Sequence, residues 1–480
     1  MSRSTAQADL LDALDERLGA RGLIRDPGSM ARYLSDWAGD RLGLPLAVAR
    51  PASTAEVAET VRLCHAHGVP MTPQGGHSGL VAGALPAADG GELVISLERL
   101  DAIRQIDVVN FTMTVDAGCI LETIKQSAAD HDCDFPLSLG AQGSCQIGGN
   151  IATNAGGLNV LRHGMMRQLV LGLEVVLPDG RVWDGLTALH KDNRGYALAQ
   201  LFLGSEGTLG IVTGAVLRLS PRATQSRTAL LGLSSVDAVI ALYGRARREC
   251  SDLLSAFELI PRRCLALAME ASPELSDPLD TAHPWYVLME VSASGTLDLD
   301  RMLEQLLERG MEDDLVCNGV LASSETQAAR LWQFRESMLE GQRRRGEHLR
   351  TDISVPISAL SAFVAQASLA IHERSPDCEI IVYGHVGDGN LHVNILPPPG
   401  LAEAQKKAHL HDLETRLFEI VDQFGGSLSA EHGIGRTKQA AYLARLSPVE
   451  RELVEGIKAL FDPAGLMNPG RILPDASRHL

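Results

Sequence analysis

Pro136-Leu137-Ser138-Leu139-Gly140-Ala141-Gln142-Gly143-Ser144-Cys145-Gln146-Ile147-Gly148-Gly149-Asn150-Ile151-Ala152-Thr153-Asn154-Ala155-Gly156-Gly157 is the stretch whose reading decides the fold. It is dense in glycine, yet it has neither the Gly-x-Gly-x-x-Gly nor the Gly-x4-Gly-Lys-Ser/Thr spacing, so NAD and ATP loops lose support. Small residues let backbone N–H groups approach a diphosphate, and successive amides form an anion nest. A second such segment precedes it, Pro73-Gln74-Gly75-Gly76-His77-Ser78-Gly79-Leu80-Val81-Ala82-Gly83. A third follows, Gly204-Ser205-Glu206-Gly207-Thr208-Leu209-Gly210-Ile211-Val212. One such loop reads as a tight turn in an α/β domain. The set favours a long dinucleotide wrapped between two subdomains.

Around these loops, from residue 44 to 220, strand and helix patterns alternate. Ser53 or Thr54 starts a helix with an acid in its first turn. Segments 92–96, 112–115, 169–177 and 210–219 read as strands, the last alternating Ile211, Thr213, Ala215 and Leu217. Residues 1–40 look helical, opening on an acidic amphipathic pattern with Leu10, Leu11, Leu14 and Leu18. That pattern is neither a signal h-region nor an Arg-rich transit peptide. After Pro221 strands at 229–233 and 285–291 interleave with helices at 236–248, 297–309 and 325–345. This order suits an α+β layer, one antiparallel sheet with helices on one side. Pro397-Pro398-Pro399-Gly400 breaks the chain before a long helix at 402–424. The expected fold is therefore α/β plus α+β: 1–222 as the cofactor domain, 223–424 as a cap, and 425–480 returning to the first domain.

Within the cap, Tyr383-Gly384-His385-Val386-Gly387-Asp388-Gly389-Asn390-Leu391-His392-Val393-Asn394-Ile395 reads as a hairpin. Asp-Gly is a favoured two-residue turn, which would set His385 opposite His392. Opposed residues share a face with Cβ atoms about 5 Å apart, close enough for two imidazoles to grip one divalent metal. Tyr383 and Asn394 would lie one step further along that face, with Val393 and Ile395 turned into a core. Downstream, in Ser429-Ala430-Glu431-His432-Gly433-Ile434-Gly435-Arg436-Thr437-Lys438, Glu431 can add a carboxylate. Two His plus one Glu leave a coordination position open, as catalytic zinc sites do. His432 is then a base that is not a ligand, provided the backbone bends at Gly433 and Gly435.

The totals bound the class. At 480 residues the chain exceeds one ordinary core. A formal net charge of -17 argues against nucleic acid or an anionic membrane surface as partner. The 8 cysteines are scattered without a Cys-x-x-Cys pair, so buried reduced thiols are expected. The longest apolar run is broken by Glu174, which leaves no membrane span. A soluble cytoplasmic protein is expected.

The glycine-rich loops resemble the flavin-binding domain of the vanillyl-alcohol-oxidase superfamily, the PCMH type. With the hairpin, the Glu431–Lys438 cluster and the closing Asn468-Pro469-Gly470, the chain from about 40 to 473 resembles the FAD-linked D-2-hydroxyacid dehydrogenases. Leu254-Ser255-Ala256-Phe257-Glu258 and Lys191-Asp192-Asn193-Arg194-Gly195-Tyr196 lean toward the D-2-hydroxyglutarate branch. The resemblance implies a two-part PCMH-type FAD-binding domain and an antiparallel-sheet substrate cap of the FAD-linked oxidase C-terminal type. It implies non-covalent FAD on the loop Pro73 to Leu80, on Pro136, Leu139, Gly140, Gly143, Ser144, Gly148, Gly149, Thr153, Gly156 and Gly157, and on Gly207. Ile211 and Val212 would lie near the adenine and Asn468 near the isoalloxazine.

The same resemblance implies Zn2+, or a similar divalent metal, on His385, His392 and Glu431. The metal would lower the pKa of a substrate hydroxyl. His432, with an intrinsic pKa near 6.5, would take the proton while the C2 hydride passes to flavin N5. Arg335 and Asn394 match the substrate positions, and Arg350 stands where the branch has lysine. Leu339 replaces a threonine, and Asn159 an arginine. These departures leave D-lactate, D-malate and other 2-hydroxyacids open beside D-2-hydroxyglutarate. An oxygen-using flavin alcohol oxidase and an electron-relay subunit are the rival readings, and the metal motif argues against the oxidase. His77 stands where the branch often has Asn; it is expected to hydrogen-bond near FAD rather than bond to it. An electron-transfer flavoprotein or quinone would reoxidise the flavin, and a homodimer is compatible with the chain.

Overall fold

The structure is a computed structural model that describes residues 4–475. The first three residues of the expected N-terminal helix and the last five of the expected C-terminal segment lie outside the described residues. The chain divides into two compact units. The first comprises the chain up to Gly157, His163–Arg222 and the chain from Glu431; the second comprises Leu158–Arg162 and Ala223–Ala430. The chain leaves the second unit at 430/431 rather than at 424/425. Ser427 exchanges backbone hydrogen bonds with Ser354 (2.8 and 3.0 Å), which holds the segment after the long helix to the second unit.

The first unit is built on two sheets. In the smaller, Ala47–Ala49 and Met71–Gln74 both run parallel to Leu93–Ser96. In the larger, Ile103–Asp107, Thr112–Asp116, Ile211–Arg218, Val170–Val176 and Val182–Gly185 are antiparallel neighbours in that order. Val48, Ile95, Met113, Leu173 and Ile211 share one core. Ile147 and Ile151, from the short helix Ile147–Ala152, are buried in the same core and so anchor the glycine-rich stretch. The expected helical run over 1–40 is interrupted at Gly22, where the helix Thr5–Gly22 ends, and resumes only as the short turns Pro27–Met30 and Ala31–Tyr33. The chain then turns extended, because Leu23 and Ile24 pair with Ala49 and Val48 and enlarge the smaller sheet.

The second unit is one antiparallel sheet. Its strands run in the order Asn318–Leu321, Gln225–Leu233, Trp285–Ala293, Leu254–Pro261, Glu379–His385, Asn390–Leu396 and Leu349–Arg350, with Ile353–Ser354 also on Asn390–Leu396. Helices cover both faces, not the one expected. On one face Asn394 bonds Gln342 of the helix Glu325–Arg343 (2.6 Å). On the other, Ile395 packs with Ile371 of Leu360–Arg374 and Leu413 of Glu403–Gln423, while Phe257 meets Tyr243 of Val236–Cys250 edge-on. Successive strand residues point to opposite faces, so strands apolar at every position need cover on both sides.

The hairpin register also differs from the expected one. His385 pairs with Asn390, Tyr383 with His392 and Ile381 with Asn394. The connection is a 3₁₀ turn, Val386–Asp388, followed by Gly389 at φ 77°. Asp388 Oδ1 accepts the Asn390 N–H (3.0 Å), which draws the second strand back. A Cβ on Gly389 would lie 2.2 Å from the Val355 carbonyl oxygen, so only glycine fits under that strand. The register moved by two residues, and an even shift keeps every side chain on its face. His385 and His392 become diagonal neighbours, which long side chains can still bridge. Among the described residues, no helix is long and apolar enough to cross a membrane.

Candidate cofactor and substrate sites

In the first unit the glycine-rich loops meet backbone to backbone. Gln74 ends the strand Met71–Gln74, and 75–80 form the loop beyond it. A Cβ on Gly76 would lie 2.0 Å from the Ser144 carbonyl oxygen, and one on Gly75 would be 3.5 Å from Gln146 Oε1. Gly157 sits at φ 101°, where a Cβ would come 2.1 Å from the Ser138 carbonyl oxygen. Residues 138–144 therefore lie between the two contacts, Gly148 and Gly149 open the helix Ile147–Ala152, and Thr153 Oγ1 back-bonds to the Gly149 carbonyl (3.0 Å). Gly207 rests on Pro73, a Cβ there coming 3.2 Å from Cγ. Ile211 and Val212 start a central strand and are buried.

The cradle carries a set of buried polar atoms without a hydrogen-bond partner: Gln74 Oε1, His77 Nδ1, Gln146 Oε1, Asn150 Oδ1 and Asn468 Oδ1. Buried polar groups are otherwise almost always paired, so such a cluster along glycine-rich loops fits a large polar cofactor. Burial also holds the His77 imidazole below its ordinary range, hence neutral. Asn468 Nδ2 donates to the Glu206 carbonyl (2.7 Å) and the Gly83 carbonyl (3.3 Å), tying the C-terminal stretch to two of the loops. Glu431 Oε2 accepts the Gly157 N–H (2.9 Å), so this carboxylate lies on the cofactor loop.

The second unit concentrates its polar chemistry on one sheet face. Glu258 is 1% exposed and sits in a strand whose other residues, Ser255 apart, are apolar. It accepts from Arg335 Nε (2.8 Å) and bonds His385 Nδ1 (2.5 Å). Burial pushes the Glu258 carboxyl up, but the His385 and Arg335 charges outweigh it and hold the group at about 2. Once the imidazolium gives up its Nε2 proton, the carboxylate on Nδ1 keeps the other proton there and leaves the Nε2 lone pair outward, the arrangement metal-ligating histidines use. The His385 and His392 ring centroids are 5.7 Å apart, which suits two ligands of one divalent metal. His392 faces Tyr383 (5.0 Å), whose ring lies under the Arg335 guanidinium (5.1 Å). Burial pushes the Tyr383 phenol up to about 12. Asn394 also donates to the Tyr383 hydroxyl (3.3 Å), and Arg350 pairs with Asn394 in register, so both share this face.

Four residues here were not assigned roles from sequence. Glu258 and Gln342 fix Arg335, His385 and Asn394 as described. Asp352 is fully buried, accepts from Asn390 Nδ2 (2.9 Å) and takes the Ala430 N–H (3.1 Å), one peptide bond before Glu431. Glu206 in the first unit accepts the backbone N–H groups of Ile434 and Gly435 (both 2.7 Å). The signal for Glu258 is legible, a lone acid in an apolar strand; Asp352 and Glu206 lie in short polar segments with no comparable mark.

Comparison with known proteins matches residues 45–185 to an FAD binding domain and residues 222–472 to the FAD linked oxidases, C-terminal domain. D-2-hydroxyglutarate dehydrogenase of Xanthomonas citri pv. viticola is 38% identical over 460 residues, covering 96% of this chain and 96% of the relative. The mitochondrial D-2-hydroxyglutarate dehydrogenase of Danio rerio is 38% identical over 454 residues, covering 94% of this chain and 83% of the relative. Among solved structures, p-cresol methylhydroxylase with substrate bound superposes with a TM-score of 0.78 at 15% identity, covering 99% of this chain and 98% of that one. That likeness confirms the PCMH-type fold.

Proposed function

The chain belongs to the family of FAD-linked oxidases, and on that premise we propose that it oxidises D-2-hydroxyglutarate to the 2-oxoacid. The observation that carries this reading is the single sheet face bearing His385, His392, Arg350 and Asn394, with Arg335 laid over its Tyr383 from the helix Glu325–Arg343. Bound FAD supplies the hydride acceptor, and the loops from Pro73 and Pro136 would hold it without a covalent bond. A divalent metal on His385, His392 and Glu431 would supply Lewis-acid polarisation of the 2-hydroxyl.

The chain's own residues do the rest. His432 takes the hydroxyl proton on a ring nitrogen, leaving an alkoxide that releases hydride from C2. Arg335, its Nε held by Glu258, turns a planar fork toward a substrate carboxylate. Arg350 supplies a second positive charge for the distal carboxylate, and Asn394 a hydrogen bond. The electrons then leave to an electron-transfer flavoprotein or a quinone.

The test is to add D-2-hydroxyglutarate, D-malate and D-lactate in turn to the protein without oxygen, with and without a metal chelator. Chelator-sensitive bleaching of the flavin band, fastest with D-2-hydroxyglutarate, is the expected result. Bleaching that favours a monocarboxylate would overturn the substrate. Bleaching that survives complete metal removal would overturn the metal.

A further inference from the structure

Glu206 is unused by the chemistry above, yet it joins three parts of the first unit. Its side chain is buried, 9% exposed, and its backbone is held at φ 51°, a conformation rare for a residue with a side chain. Its N–H donates to the Ala152 carbonyl (2.8 Å) in the glycine-rich stretch. Its own carbonyl accepts from Asn468 Nδ2 (2.7 Å). Each carboxylate oxygen accepts one N–H, from Ile434 and Gly435, two and three residues beyond His432. A Cβ on Gly433 would lie 2.8 Å from Glu206 Oε1, so the carboxylate is seated against the backbone of this motif.

We propose that Glu206 is a positioning residue that sets His432 relative to the flavin seat. This rests on the reading of His432 as base. The bends at Gly433 and Gly435 (φ 86° and 51°) admit many backbone paths, because glycine adopts positive φ freely. Two N–H bonds to one buried carboxylate select a single path. The same residue's backbone grips the cofactor stretch and Asn468, so base and flavin seat are referenced to one point.

The experiment uses the FAD-loaded enzyme and its E206Q and H432N variants. Glutamine keeps the shape and one acceptor oxygen, but turns an N–H donor toward the second backbone N–H. Flavin content, thermal midpoint and anaerobic bleaching by D-2-hydroxyglutarate are measured, the last in H2O and D2O. In E206Q the limiting bleaching rate is expected to fall on the order of 100-fold, the effect of a misplaced group. Flavin content and half-saturating substrate stay near wild type. The solvent isotope effect rises, because proton removal becomes slower than hydride release. A merely structural loss would lower flavin content in step with rate and leave the isotope effect unmoved.

A wild-type rate in E206Q beside a slow H432N overturns the proposal alone. A wild-type rate in H432N overturns the base reading itself. Should E206Q fail to retain flavin, E206D carries the test, keeping the charge while drawing the carboxylate back from the Ile434 and Gly435 N–H groups. Slow bleaching with full flavin supports the proposal there, and a wild-type rate overturns it.

Discussion

Glu258→Gln is expected to weaken metal binding without removing a metal ligand. In the wild type, Glu258 receives Arg335 Nε at 2.8 Å and holds His385 Nδ1 at 2.5 Å. Arginine has no acceptor, so the glutamine oxygen must turn to Arg335. Its NH2 then faces His385 Nδ1, which must accept, and the imidazole proton moves to Nε2. The lone pair a metal needs is lost from the outward nitrogen. Loss of such an outer partner weakens metal binding by about 10- to 100-fold, or about 1.4 to 2.7 kcal/mol. The substitution also strands the Arg335 charge, and breaking a buried pair costs about 3–5 kcal/mol. E258Q/R335M removes both charges and also the arginine that claims the glutamine oxygen, so that oxygen can accept the Nδ1–H of His385 and the double variant is expected to recover both stability and most of the zinc affinity. The assay is a zinc titration against a chromophoric chelator, with thermal melts of the same samples. Zinc affinity within twofold of wild type in E258Q would refute the tautomer argument, as would a double variant that regains stability but no zinc affinity.

Other outcomes follow from the same geometry. R335K keeps the charge but loses the fork and its Nε bond to Glu258. One lost charge-assisted bond is worth about 1.5–3 kcal/mol, so half-saturating substrate in flavin bleaching should rise about 10-fold or more; an unchanged value would remove Arg335 from the substrate site. G76A forces a Cβ to within 2.0 Å of the Ser144 carbonyl oxygen, so the purified variant should carry little flavin. A full visible flavin band in folded G76A would refute the cradle. His77 is expected to contact FAD without bonding to it, so acid precipitation should release all flavin to the supernatant, and flavin in the washed pellet would contradict this.

The regular elements are legible where the signals are local. Ser53 caps its helix as expected, its Oγ accepting the Glu56 N–H at 3.2 Å. The expected strand at 210–219 is the observed Ile211–Arg218, buried along nearly its whole length. Which side of a sheet a helix covers is not a local property. Phe257 and Glu258 are consecutive, yet one meets Tyr243 and the other Arg335, on opposite faces. Both faces need cover, and nothing in a helix's own periodicity says which it takes. The N-terminal run misleads for a similar reason: Leu23 and Ile24 continue an apolar pattern, but the sheet edge at Val48 and Ala49 claims them.

The candidate site divides along the same line. The histidine pair is legible by face and not by partner. Asp388-Gly389 predicts a two-residue turn, but Asp388 takes the Asn390 N–H and Gly389 is pinned under the Val355 carbonyl. The resulting even shift preserves the face, so His385 and His392 still converge; a one-residue slip would have sent one of them into the core with Val393. Glu258 is legible as an anomaly, because a carboxylate in an apolar strand demands a buried cation, and Arg335 and His385 answer it. Glu206 is the converse case. Gly-Ser-Glu-Gly looks like a solvated turn, and its partners Ile434 and Gly435 lie 228 and 229 residues away as bare backbone N–H groups. A backbone donor has no residue type, so no sequence pattern can announce it, and the contacts behind the proposed role of Glu206 are visible only in the folded chain.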